Sequence, residues 1–131
     1  MQIEPIPILK AILVMAVAWP FASPSSASGL CDRLQGMAIV AQDGTFLGRI
    51  TNEYDSDSVL NEYGDYGSKY SDKSIWNEYG EYGGRYSEKS PFNKYASKPP
   101  VIFSDAQAVA YLSVEKRVEP TVHPFILKTC K

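Results

Sequence analysis

Residues 59–74 read VLNEYGDYGSKYSDKS, and residues 75–90 read IWNEYGEYGGRYSEKS. The offset is 16 residues, and 10 of the 16 positions are identical. Four more keep their chemistry: Val59/Ile75, Asp65/Glu81, Lys69/Arg85 and Asp72/Glu88. Partial copies flank the pair. Tyr54-Asp55-Ser56-Asp57-Ser58 matches the ends of both units, and Pro91-Phe92-Asn93-Lys94-Tyr95-Ala96 is the worn start of a third. Pro99-Pro100 stops the series. A unit this short does not make an ordinary free-standing solenoid, so the repeats need a base to pack on.

Read residue by residue, each unit predicts a short helix followed by a loop. Ser71 is placed to cap a helix, with Asp72 in the first turn, where the helix dipole favours an anion. Ile75 and Tyr79 stand i, i+4 on one face, and Gly80 can take the left-handed conformation that ends a helix. Two helical turns over 71–80 follow, then the loop Glu81-Tyr82-Gly83-Gly84. On that reading Tyr63 and Tyr79 pack against Val59-Leu60 and Ile75-Trp76, with Trp76 buried. Tyr66 and Tyr82, set among glycines, are left as the contacts for a ligand.

Outward from the repeats lie two strand-rich stretches. Asp43-Gly44 between apolar runs is a hairpin signal over 37–51. Val40–Thr51 has the same apolar pattern and turn position as Ile102–Ser113, so a second hairpin is expected over 101–114. The fold class is therefore mainly β with an irregular or short helical insert. It is a small antiparallel sheet of about four strands, from two hairpins bracketing the repeats at 54–98. The tail at 120–131 holds the apolar run Val122–Leu127, expected to pack on the sheet and bring Cys130 to Cys31.

The N-terminus reads as a signal peptide. Lys10 precedes the apolar stretch Ala11–Trp19, Pro20 breaks it, and small residues run to Ala27. Nine apolar residues fall far short of the roughly 20 that span a bilayer. The expectation is a signal over 1–27, a single domain over 28–131, and export to the periplasm or the extracellular space. No stable membrane anchor remains after cleavage. Export permits a disulfide between Cys31 and Cys130, the only cysteines of the chain.

Composition removes several classes of function. The chain has 131 residues, 44% hydrophobic and 21% charged, with a net charge of -2. The isoelectric point of about 5.4 and the absence of a Lys/Arg run argue against nucleic acid. A mean hydropathy of -0.22 excludes a polytopic membrane protein. His123, the one histidine, precedes a proline in the apolar tail without an evident catalytic partner. There is no Gly-x-Ser-x-Gly elbow, no zinc spacing and no phosphate loop, and no cofactor is called for. Asp55-Ser56-Asp57 begins like a calcium loop, but Leu60 and Tyr66 stand where an EF-hand needs Gly and Glu. Asp65 and Glu81 are the remaining, weak calcium candidates. Seven of the nine tyrosines lie in the two units and their worn continuation. Tyrosine with Ser, Gly and Asn is also the palette of adaptable binding surfaces.

The run N-x-Y-G-x-Y-G-x-x-Y-S, between hairpins of the VAxDGTFLG type, resembles a group of small exported bacterial proteins of unknown function. The resemblance covers residues 37–114. It implies export and a single domain, and it carries no activity, ligand or catalytic residue. Together these readings give a non-catalytic extracytoplasmic binding or structural protein of the cell envelope, its partner an envelope protein or glycan. The alternatives are a small envelope hydrolase, an inhibitor of an envelope enzyme, or a calcium-stabilised module.

Overall fold

The structure, a computed structural model, describes residues 27–115 and 119–130. The expected signal over 1–27 lies outside the described residues except for Ala27.

The two hairpins form where turn chemistry meets strand residues. Strands β1 (Ala38–Val40) and β2 (Phe46–Arg49) pair antiparallel. Gly44 turns between them at φ 95°, and Asp43 Oδ1 accepts the Thr45 amide at 2.9 Å. Strands β3 (Val101–Ser104) and β4 (Gln107–Leu112) turn at Asp105, which takes φ 57°, a conformation aspartate tolerates. The hairpins join through β1 and β3, with Ile39 opposite Ile102. The tail adds a fifth strand, β5 (Thr121–Val122), parallel to β4, giving the order β2-β1-β3-β4-β5. The fold is mainly β, as its turn and strand signals indicate. Ile39, Leu47, Ile102 and Leu112 are buried on one face of the sheet, and Val40, Val101 and Phe103 are half-buried.

Two short helices flank the sheet. Helix α1 (Ala27–Leu34) precedes β1, and α2 (Pro124–Leu127) follows β5 and runs into a 3₁₀ turn at Lys128–Cys130. Cys130 is disulfide-bonded to Cys31 of α1, with Cα atoms 5.3 Å apart at a sequence separation of 99.

The segment between the hairpins is not helical, which corrects the reading of 71–80. It is a chain of β-turns that share their end residues. The amide of Ser58 donates to Asp55 O, Asn61 to Ser58 O, and Gly64 to Asn61 O; the pattern runs on through Ser71, Ser74, Asn77 and Gly80, then Ser87, Ser90, Asn93 and Ala96. Most steps are three residues. The steps Gly64 to Ser68 and Gly80 to Gly84 are four. Four steps of three and one of four make the 16-residue period.

The serine and asparagine corners also use their side chains. Ser58, Asn61, Ser68, Ser71, Ser74, Asn77, Ser87, Ser90 and Asn93 accept the amide two residues on, at 2.9–3.3 Å. This local bond competes with helix formation and wins, because such a residue recurs too often for a helix to propagate. The asparagines add a brace. Nδ2 of Asn61, Asn77 and Asn93 donates to Asp55 O, Ser71 O and Ser87 O, each six residues back. Gly67 and Gly83 lie so close to the backbone of Asn61 and Asn77 that a Cβ would overlap those carbonyls.

The turn chain rests on the sheet through one stripe. Val59, Ile75 and Pro91 occupy the same place in successive units, and all are fully buried. Burying an aliphatic side chain of this size contributes roughly 1.5–3 kcal/mol. Backbone bonds fix both ends: Arg49 N donates to Asp57 O and Val59 N to Arg49 O beside β2, while Val114 N donates to Pro91 O beyond β4. Trp76 is half-buried against this core and donates its indole N–H to Val59 O at 2.7 Å. Tyr63 and Tyr79, expected to pack inward, are each 97% exposed. The turn geometry, not an i, i+4 helix face, decides their direction.

Asn77→Ala removes both the turn acceptor and the brace from a residue 7% exposed. It should destabilise the protein by about 1–3 kcal/mol in urea unfolding, whereas Tyr79→Ala should stay within about 0.5 kcal/mol. Cys130→Ser reopens a long loop and should cost about 2–5 kcal/mol in the same measurement.

Candidate functional site

The three-residue step sets which rings face out. Tyr54, Tyr63, Tyr70, Tyr79, Tyr86 and Tyr95 each follow a turn corner by two residues, and all are 75–97% exposed. They form two series with the 16-residue spacing: Tyr54, Tyr70, Tyr86 and Tyr63, Tyr79, Tyr95. An isolated exposed aromatic is ordinary, but here six recur at one repeated turn position.

Where the second unit meets the third, there is a groove of about 990 Å³. Trp76, Phe92 and Phe125 are among its lining residues. Their ring centroids are 5.7 Å apart for Trp76–Phe92, 6.4 Å for Trp76–Phe125 and 5.2 Å for Phe92–Phe125. Phe125 comes from the tail helix and is 58% exposed. Tyr79, Tyr86 and Tyr95 line it together with Glu78, Arg85 and Lys94. Lys128 Nζ lies 4.1 Å from the Trp76 ring centroid, within cation–π range.

The residues singled out from sequence fall elsewhere. Tyr66 and Tyr82, expected as the ligand contacts, are turned inward. Tyr66 is half-buried with its ring edge-on to Phe46 at 5.1 Å, against a glycine, Gly48, whose own Cβ would come within 2.8 Å of the Tyr66 Cβ. Tyr82 is 9% exposed; its hydroxyl donates to Asp43 Oδ2 at 2.9 Å and lies 3.1 Å from Thr45 Oγ1. In both units this position lies within the four-residue step, Gly64 to Ser68 or Gly80 to Gly84, where the ring turns inward instead of out. Asp65 is exposed, and Glu81 is ion-paired with Lys89. Among the described residues no three His, Cys, Asp or Glu side chains gather where a metal ion could be held. His123 caps α2, accepting the Phe125 amide at Nδ1 and stacking on the Phe125 ring.

Asp43 is the electrostatic link between hairpin and repeats. Its carboxylate accepts from the Thr45 amide, Tyr82 and Lys89, the last at 3.2 Å. These bonds, the Thr45 amide foremost, hold its pKa well below the ordinary 3.8. Bonds from Glu81 and Asp43 push Lys89 above the ordinary lysine range. For Tyr82 the Thr45 hydroxyl pulls downward, but burial and the Asp43 charge together carry the phenol above its usual value.

The exposed tyrosines were accessible to a different reading of the same residues: a small polar residue or glycine recurs at every third or fourth position from Asp55 to Ala96. The groove's Phe125 carries no such signal, since only the tail's path brings it to Trp76. No known protein family, curated protein or solved structure matches this chain.

Because Asp43 is more acidic folded than unfolded, its contribution to stability is present above pH 3.8 and is lost as the pH falls below it. Asp43→Asn should flatten the acid limb of a melting-temperature profile below about pH 4.

Proposed function

We propose that this is a non-catalytic, exported binding protein of the cell envelope. Its ligand face is the aromatic groove and the tyrosine surface that leads into it. The observation that carries the reading is the six tyrosines, 75–97% exposed and repeated at 16-residue spacing. The core does not use them: it is built from Ile39, Leu47, Ile50, Val59, Ile75, Ile102 and Leu112. Rigid phenol rings give large contact area at low entropic cost, and they carry a hydroxyl for polar partners.

Export is supported by the signal-like N-terminus and by the Cys31–Cys130 disulfide, which persists in oxidising compartments. The non-catalytic reading is supported by the state of the ionisable groups. Asp43, Glu81 and Lys89 bond one another, and the only histidine serves a helix cap. An envelope protein and an envelope glycan both suit an aromatic groove with a charged rim.

A variant with Tyr79→Ser, Tyr86→Ser and Tyr95→Ser should keep the wild-type melting temperature, because none of these rings is buried. It should lose retention on immobilised envelope glycans and envelope proteins alike. Retention equal to wild type would overturn this reading.

A further inference from the structure

We propose that the groove takes an acidic polysaccharide, a glycan whose sugar rings carry carboxylates. The inference rests on the binding reading above and names its ligand class.

The charges next to the outward tyrosines change along the chain. The residue before the ring is Glu53, then Lys69, then Arg85 in one series, and Glu62, then Glu78, then Lys94 in the other. The two series are both basic only at their third members, Arg85 of the second unit and Lys94 of the third, and both residues line the groove. Arg85 and Lys94 outnumber Glu78 on its lining, and Lys128 places a third cation on Trp76. This local excess stands against a chain of net charge -2.

The two rim cations are free for a ligand. Lys89 is held by Asp43 and Glu81, but Arg85 and Lys94 make no ion pair among the described residues. Lys94 Nζ lies 5.2 Å from the Tyr95 ring centroid. Corner Asn and Ser side chains are consumed by the turns, so specific polar contacts fall to these cations and the phenol hydroxyls.

A uronic acid matches both halves of that surface. The C–H face of a sugar ring lies flat on an aromatic ring, and its exocyclic carboxylate then projects past the ring edge. Arg85 and Lys94, adjacent in sequence to Tyr86 and Tyr95, are suited to receive it, arginine through a two-pronged bond. A volume of about 990 Å³ is at the top of the range for small-molecule clefts, about 300–1,000 Å³, which suits several linked sugars. A nucleic acid would bring denser charge than three cations balance, to a chain acidic overall.

The test is a titration of the full-length protein with oligogalacturonate, oligoguluronate and hyaluronan fragments, read by Trp76 emission with Trp76→Phe as control. At least one should bind, with affinity falling as salt rises from 50 to 200 mM. Its methyl-esterified counterpart should bind about tenfold more weakly or worse, as should the Arg85→Gln/Lys94→Gln variant for the acid form. Equal binding of acid and ester, or no effect of the double variant, would overturn the acidic class while leaving the aromatic site intact. Binding of polyuridylate in preference to every uronate would overturn it as well. If no uronate binds but the triple tyrosine variant still loses envelope retention, the ligand class alone fails. If that variant is retained, the binding reading fails with it.

Discussion

The rest of the molecule depends on one local hydrogen bond, repeated. A side-chain oxygen at a turn corner accepts the amide two residues ahead, while the corner carbonyl accepts the amide three ahead. Together they satisfy much of the backbone without a helix or a sheet partner, which a segment of more than 40 residues must otherwise find. The asparagine brace at every sixteenth residue then ties each unit to the stretch before it. With the backbone satisfied locally, the side chains between corners are free to divide. Val59, Ile75 and Pro91 go inward with Tyr66 and Tyr82, and the six tyrosines of the three-residue steps go out.

A chain of turns has no core of its own, and the sheet supplies one. The stripe of Val59, Ile75 and Pro91 closes the buried face of β1–β4, so neither layer is complete alone. Three connections hold them in register. Arg49 and Val114 make backbone bonds at the two margins, and the Asp43 carboxylate bonds Tyr82 and Lys89 near the hairpin turn. The disulfide acts at a greater distance. It ties α1 to the tail and so fixes the 3₁₀ turn that follows Phe125, the ring that completes the groove.

The units are alike in backbone and unlike in what they present. Identical turns deliver a tyrosine to the same position each time, but the neighbouring charge passes from acidic to basic. The last unit also meets Phe125, a ring from outside the series. Repetition provides the scaffold, and departures from it make one end chemically distinct. Turning side chains outward is inexpensive here because the core does not need them. An exposed ring beside a free cation is then the feature that stability alone does not account for.

Hairpin positions, the mainly β class and the disulfide were legible in the sequence because each rests on a local or nearly unconditional rule. Asp43-Gly44 demands a turn, flanking β-branched runs demand strands, and two cysteines in a chain that reads as exported have one possible partner each. The direction of the tyrosines was not legible by the same route. Ile75 and Tyr79 satisfy the spacing of a helix face, and Ser71 satisfies that of a cap, so the helix pattern and the turn pattern compete over the same residues. What decides between them is turn chemistry: a Ser, Asn or Gly at nearly every third or fourth position takes up the amides locally before a helix can propagate, and the sheet then buries Val59, Leu60, Ile75 and Pro91 of the resulting chain of turns. The groove is more dependent still. Trp76 and Phe125 stand far apart in sequence, and their ring contact exists only because β5 carries the tail back alongside the third unit. A sequence states local preferences; which of them prevails, and which distant residues meet, is set by the packing that buries the most apolar surface with every amide bonded.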